Sequence, residues 1–247
     1  MMNTNENKPF YIGYQPQAPV ELRRWLWIVI VVLFALAVGV ALLLAFSFER
    51  LPLSVFEFGQ TREYTGIIST QPYPSLMVRR DDKLEQYWLV GVGKHGADVS
   101  AFAGQMVRLR GALITRDGLR MLEVAPSEIE RINAFSADSL PTESLGSFTF
   151  TGEIVDSKCY LGVMNPGHTK PHRECAVRCI SGGAPPLFLA RDSQGAAIAL
   201  QLTGAHGEPL SQEVLDFVAE PIEITGEVSR QGEWLTLRAP LSTYRRK

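Results

Sequence analysis

All three cysteines of this 247-residue chain, Cys159, Cys175 and Cys179, fall within "CYLGVMNPGHTKPHRECAVRC", together with two of its four histidines, His168 and His172. The spacing is Cys159-x8-His168-x3-His172-x2-Cys175-x3-Cys179. Pro171 suits the first turn of a helix, "HRECAVRCI" can continue it, and Gly182-Gly183 with Pro185-Pro186 stop it. On that helix His172, Cys175 and Cys179 stand at i, i+3 and i+7, on one face. If Cys159 closes on them, three sulfurs and one imidazole make a soft four-ligand set. Zinc favours such a set foremost; copper, iron or an iron-containing cofactor also fit. His168 is a fifth candidate ligand or a supporting group.

Other chemistries stay open for the same residues. In an oxidising compartment Cys159 can bridge to Cys175 or Cys179, stapling the segment as a structural or interaction module. Cys175 and Cys179, one helical turn apart, are poorly placed to bridge each other. A thiol redox enzyme needs only one activated cysteine on the helix. Asp156 and Lys158 flank Cys159 and read as solvated polar residues rather than supporting partners. His95 and His206 each sit beside glycine and read as turn architecture. There is no phosphate loop, G-x-S-x-G elbow or H-E-x-x-H, so the reading leans away from an enzyme.

The elements that must hold this window form an internal repeat. Residues 107–126, "VRLRGALITRDGLRMLEVAP", and 222–240, "IEITGEVSRQGEWLTLRAP", share an alternating strand, a glycine, a polar turn, a second strand and Ala-Pro. Upstream, "EYTGIIS" matches "TFTGEIVD", and "YWLVGVG" matches "AIALQLTG". A short helical element follows each third strand: "DVSAFAG", and "LSQEVLDFVAE" with Leu210, Val214 and Phe217 on one face. Three strands, a helix and two strands is the order of an OB-fold barrel. The expected fold is mostly β: a transmembrane helix, then two OB-fold-like barrels at 60–132 and 148–244, with 133–147 as linker. One larger β-sandwich is the alternative. The cysteine-free first copy is expected to fold by itself. Where that copy joins its first two strands by "TQPYPS", the second carries an insertion, 157–186, holding every cysteine.

From Trp25 to Phe48 the chain runs 24 residues without a charge, about 36 Å as a helix, enough to cross a bilayer core. A buried core helix would need a polar face. A cleaved signal would have a shorter apolar region than this one. Arg23 and Arg24 abut its N-terminal side, which favours a cytoplasmic N-terminus and an exported bulk. The expected location is therefore the inner membrane, single-pass, with residues 1–24 a disordered cytoplasmic tail and most of the chain in the periplasm. With 24 basic against 26 acidic residues, and no aromatic–basic series, nucleic acid is not an expected partner.

"TGEIVDSKCYLGVMNPG…HRECAVRCISGGAPPLFL" resembles a motif of bacterial membrane-anchored or exported proteins with OB-like domains, a group with no established activity. The resemblance implies a shared site at Cys159, His172, Cys175 and Cys179. The plan of one anchor and an exported OB-type barrel is also similar to haem chaperones of cytochrome c maturation, although their covalent haem-binding histidine motif has no counterpart here. The combined expectation is a binding or accessory protein that presents a Cys/His site outside the cytoplasm and serves a membrane-bound or redox assembly.

Overall fold

A computed structural model describes residues 19–47, 54–81, 83–132, 140–192 and 197–247. The chain divides into two units, Met1–Arg50 and Leu51–Lys247. In the first, helix α1 (Val20–Ser47) takes in residues 20–24, which the sequence pattern assigns to the tail. Its Leu22–Ser47 stretch has a mean hydropathy of 3.3 over its most apolar window, none of it buried, and is long enough to cross a membrane. The rest of the tail, 1–18, lies outside the described residues.

The second unit holds two five-stranded closed barrels. In the first, β1 (Ser54–Ser69), β2 (Ser75–Arg80), β3 (Lys83–Val90), β4 (Met106–Arg116) and β5 (Leu119–Arg131) close in the order β1-β2-β3-β5-β4. In the second, β6 (Thr142–Asp156), β7 (Pro186–Arg191), β8 (Ala197–Thr203), β9 (Ile222–Gln231) and β10 (Trp234–Arg238) repeat that order, with β11 (Arg245–Arg246) added beside β9. Each barrel has one parallel pairing, β3 with β5 and β8 with β10. Closure of each half on itself replaces the single-sandwich alternative. The helical element after each third strand is a short 3₁₀ stretch, Ser100–Phe102 and Gln212–Phe217.

The repeat has a steric cause in its matched glycines. A Cβ at Gly66 would lie 2.1 Å from the Met77 carbonyl oxygen, and one at Gly152 would lie 2.2 Å from that of Leu189. The first strand of each barrel therefore crosses its neighbour where no side chain fits. Strand boundaries differ from the sequence reading at both starts: β1 begins at Ser54 rather than near 60, and β6 begins at Thr142. Residues 142–147, read as linker, instead pair along β9; 133–139 lie outside the described residues.

Each barrel has its own interior, around Leu76, Leu89 and Leu109 in the first and Phe188, Leu200 and Ile224 in the second. A third apolar cluster joins them. Trp88, Ile114 and Met121 from the first barrel pack with Tyr160, Leu161, Leu189 and Trp234 from the second half. Trp88 and Trp234 stack with ring centroids 4.2 Å apart. The Tyr73 hydroxyl, on the short β1–β2 connection, donates to the Leu202 carbonyl at 2.7 Å and accepts from the Leu210 N–H at 2.8 Å. The barrels thus share a core, which the repeat pattern alone does not reveal.

Candidate metal centre

The insertion leaves β6 at Asp156, whose side chain is fully buried. Its Oδ1 accepts the Cys159 N–H at 2.8 Å, so the carboxylate turns the chain inward as a local side-chain cap. The wide, π-helical turn Cys159–Val163 then buries Cys159, Tyr160 and Leu161. It rests against the first barrel: a Cβ on Gly162 would come within 2.7 Å of the Val55 carbonyl oxygen, and Arg116 stacks over the Tyr160 ring at 4.4 Å. After the loop, a 3₁₀ turn at Lys170–His172 leads into helix α2 (Arg173–Ser181). The spacing argument holds: His172 and Cys179 are buried, and Cys175, on the same face, is half-buried.

The sulfurs converge on Cys159. Its Sγ lies 3.8 Å from Cys175 Sγ and 4.0 Å from Cys179 Sγ. All three cysteines are free, and these separations are well beyond a covalent S–S bond of about 2.05 Å. Two triads of possible ligand atoms, each within 4.8 Å of one another, share that cysteine: Cys159, His172 and Cys175; and Asp156, Cys159 and Cys179. His172 Nε2 lies 3.0 Å from Asp156 Oδ2. Asp156 thereby fixes both a backbone N–H at one corner of the cluster and an imidazole at the other.

The first barrel supplies the opposite wall through the loop Gly91–Gly96. Lys94 Nζ lies 2.7 Å from Cys175 Sγ. The Gly96 N–H donates to the Gly182 carbonyl at 2.8 Å. A Cβ on Gly182 would sit 1.9 Å from the Lys94 carbonyl oxygen, and one on Gly96 would sit 2.6 Å from that of Gly183. Gly182-Gly183 therefore does more than stop the helix: it lets two backbones touch. Lys158, also buried, reaches through this loop to the Gly91 and Gly93 carbonyls at 2.7 and 2.5 Å and pairs with Glu123 at 2.5 Å. A buried ammonium needs such saturation by acceptors to be tolerated.

The electrostatics divide the thiols. The hydrogen bond to Cys179 and burial push the Cys159 thiol well above its ordinary range. The same hydrogen bond, aided by the Lys94 charge against the opposing effect of burial, holds Cys179 below its ordinary value. Lys94 is raised chiefly by its bond to Cys175. Of the hydrogen-bonded pair Cys159 and Cys179, negative charge is thus favoured on Cys179.

The structure gathers Cys159, His172, Cys175 and Cys179 as expected from their spacing and adds Asp156. Asp156 and Lys158 are buried partners, and the solvated reading of both is corrected. His168 is placed elsewhere, with its Nδ1 3.7 Å from Glu153 Oε1 and 3.4 Å from Arg191 Nη2. His206 is exposed on the turn after β8. His95 is exposed too, but its loop forms a wall of the site. Lys94 was missed altogether; three glycines in six residues, Gly91, Gly93 and Gly96, were the available signal that backbone passes close there. Compared with known proteins, the chain matches no family model and no curated sequence.

Proposed function

We propose that this is a single-pass membrane protein whose two-barrel unit presents a Cys/His metal centre outside the cytoplasm and acts as a binding or accessory component of a membrane-bound or redox assembly. The observation that carries the reading is the pair of separations from Cys159 Sγ, 3.8 and 4.0 Å. Zinc–thiolate bonds of about 2.3 Å at tetrahedral angles place sulfurs about 3.8 Å apart. Cys159, Cys175, Cys179 and His172 are the ligands of this reading, zinc its first ion, and Asp156 the carboxylate that orients the histidine. The long apolar helix supports the anchor, and Arg23 and Arg24 support the cytoplasmic N-terminus.

The site also fits a holding role better than an open catalytic one. Four protein ligands leave no position for water on a tetrahedral ion, the arrangement of a structural rather than a hydrolytic zinc. Copper or iron would enter the same thiolate set. Metal content per chain, measured together with a free-thiol count on anaerobically purified protein, tests the reading. One metal per chain with three titratable thiols after chelation supports it; a metal-free chain overturns it.

A further inference from the structure

The cysteines form a graded series from surface to interior. Cys175 is half-buried, whereas Cys159 and Cys179 are 3% and 1% exposed. Cys159 lies within 4.0 Å of both helix sulfurs. Cys175 and Cys179 share one helix at i and i+4, where direct bridging is disfavoured. Exchange between the outer and inner helix thiols is therefore favoured through Cys159, which comes from a different segment and faces both. Lys94 places an ammonium 2.7 Å from the outermost sulfur, a donor in position to hydrogen-bond that sulfur as it attacks and as it leaves.

We propose that, without metal, the three cysteines form an inward thiol–disulfide relay that takes up oxidising equivalents from an accessible small disulfide, with Cys175 as the entry thiol, Cys159 as the exchanger and Cys179 as the terminus. This activity goes beyond metal holding and does not depend on it. In the first step the Cys175 thiolate attacks a disulfide R–S–S–R; a Cys175–S–S–R bond forms and RS⁻ leaves. Cys159 then attacks Cys175 Sγ, passing its proton along its hydrogen bond to Cys179, and a second RS⁻ departs. Finally Cys179 attacks Cys159 Sγ, that proton is released to solvent, and Cys175 departs as a thiolate beside Lys94, leaving a buried Cys159–Cys179 disulfide. One R–S–S–R is reduced to two RS⁻, and two protein thiols are oxidised to one disulfide. The exchange is governed by access to each sulfur and by how well the leaving sulfur carries charge. Access points inward here, from half-buried Cys175 to buried Cys159 and Cys179.

The test uses the full chain in detergent, reduced and chelator-stripped, then treated with oxidised glutathione and quenched by acid and alkylation at intervals. Cleavage after Arg173 and Arg178 puts each cysteine on its own peptide, so mass mapping reads the order directly. The expected sequence is a glutathione adduct on Cys175, then Cys159–Cys175, then Cys159–Cys179 as end product. Cys159→Ser should stall at the Cys175 adduct, and Cys175→Ser should slow oxidation at least about tenfold because the remaining thiols are buried. A first adduct on Cys159 or Cys179, a Cys175–Cys179 bridge in Cys159→Ser, unchanged oxidation of Cys175→Ser, or an end product left at Cys159–Cys175 would overturn the relay. Metal content is measured on untreated protein, so a chain that binds metal but shows no ordered exchange refutes only the relay.

Discussion

Lys94 of the first barrel and Cys175 of the second half meet at 2.7 Å, nitrogen to sulfur, across 81 residues of sequence. The site is therefore built by both barrels, although every cysteine belongs to one. Lys94→Met should weaken metal retention by about tenfold, the lower end for a charge-assisted hydrogen bond because Lys94 is largely exposed. Protons compete with metal for the sulfurs, so affinity falls as pH falls. The Lys94 charge lowers the Cys179 thiol, so without it Cys179 holds its proton more tightly, and metal loss in a pH titration should begin at a higher pH in Lys94→Met than in the native chain.

Asp156 is the second lever. Asp156→Asn keeps an acceptor for the Cys159 N–H but removes the charge facing His172. Competition with a chromophoric chelator should show metal affinity about 10–100-fold lower, as for other carboxylates behind a ligating histidine. Asp156→Ala leaves that buried N–H unsatisfied and should further cost about 1–3 kcal/mol in denaturant unfolding. Equal affinities for the Asp156→Asn variant and the native protein would remove Asp156 from the site.

The shared core changes the expectation for an isolated first barrel. A 54–132 fragment returns Trp88, Ile114 and Met121 to water, at about 1.5–3 kcal/mol for each large apolar side chain. The sum rivals the whole stability of a small domain, about 5–15 kcal/mol. The fragment should lack a cooperative thermal transition, while 54–247 should show a single one. A fragment with its own sharp transition would show that the central cluster contributes little.

The anchor makes a separate prediction. A reporter fused after Lys247 should be active only outside the cytoplasm, and the protein should resist extraction by alkaline washing. A soluble form beginning near Phe48 would establish a cleaved signal instead.

Much of this arrangement was legible in the sequence because it rests on short-range periodicity. Alternation around Gly111 and Gly226 marks the closing hairpins, and the i, i+3, i+7 placement of His172, Cys175 and Cys179 marks one helix face. What was not legible depends on contacts between distant segments. Nothing local distinguishes Trp88, buried between barrels, from a residue inside one. Asp156 and Lys158 look solvated until the carbonyls of Gly91 and Gly93 and the Glu123 carboxylate are brought to the lysine. His168 shares the cysteine window but lies beside Glu153 and Arg191, between Gly167 and Thr169, whose φ values are +67° and +69°. Proximity in sequence was the wrong guide there.

The most direct test of the central claim is X-ray absorption at the metal edge on full-length protein purified without added metal. The account predicts a four-ligand zinc shell of three sulfurs at about 2.3 Å and one nitrogen at about 2.0–2.1 Å, reduced to two sulfurs in Cys179→Ser. A shell of oxygen and nitrogen alone, or no bound metal with Cys159 in a disulfide, would contradict it.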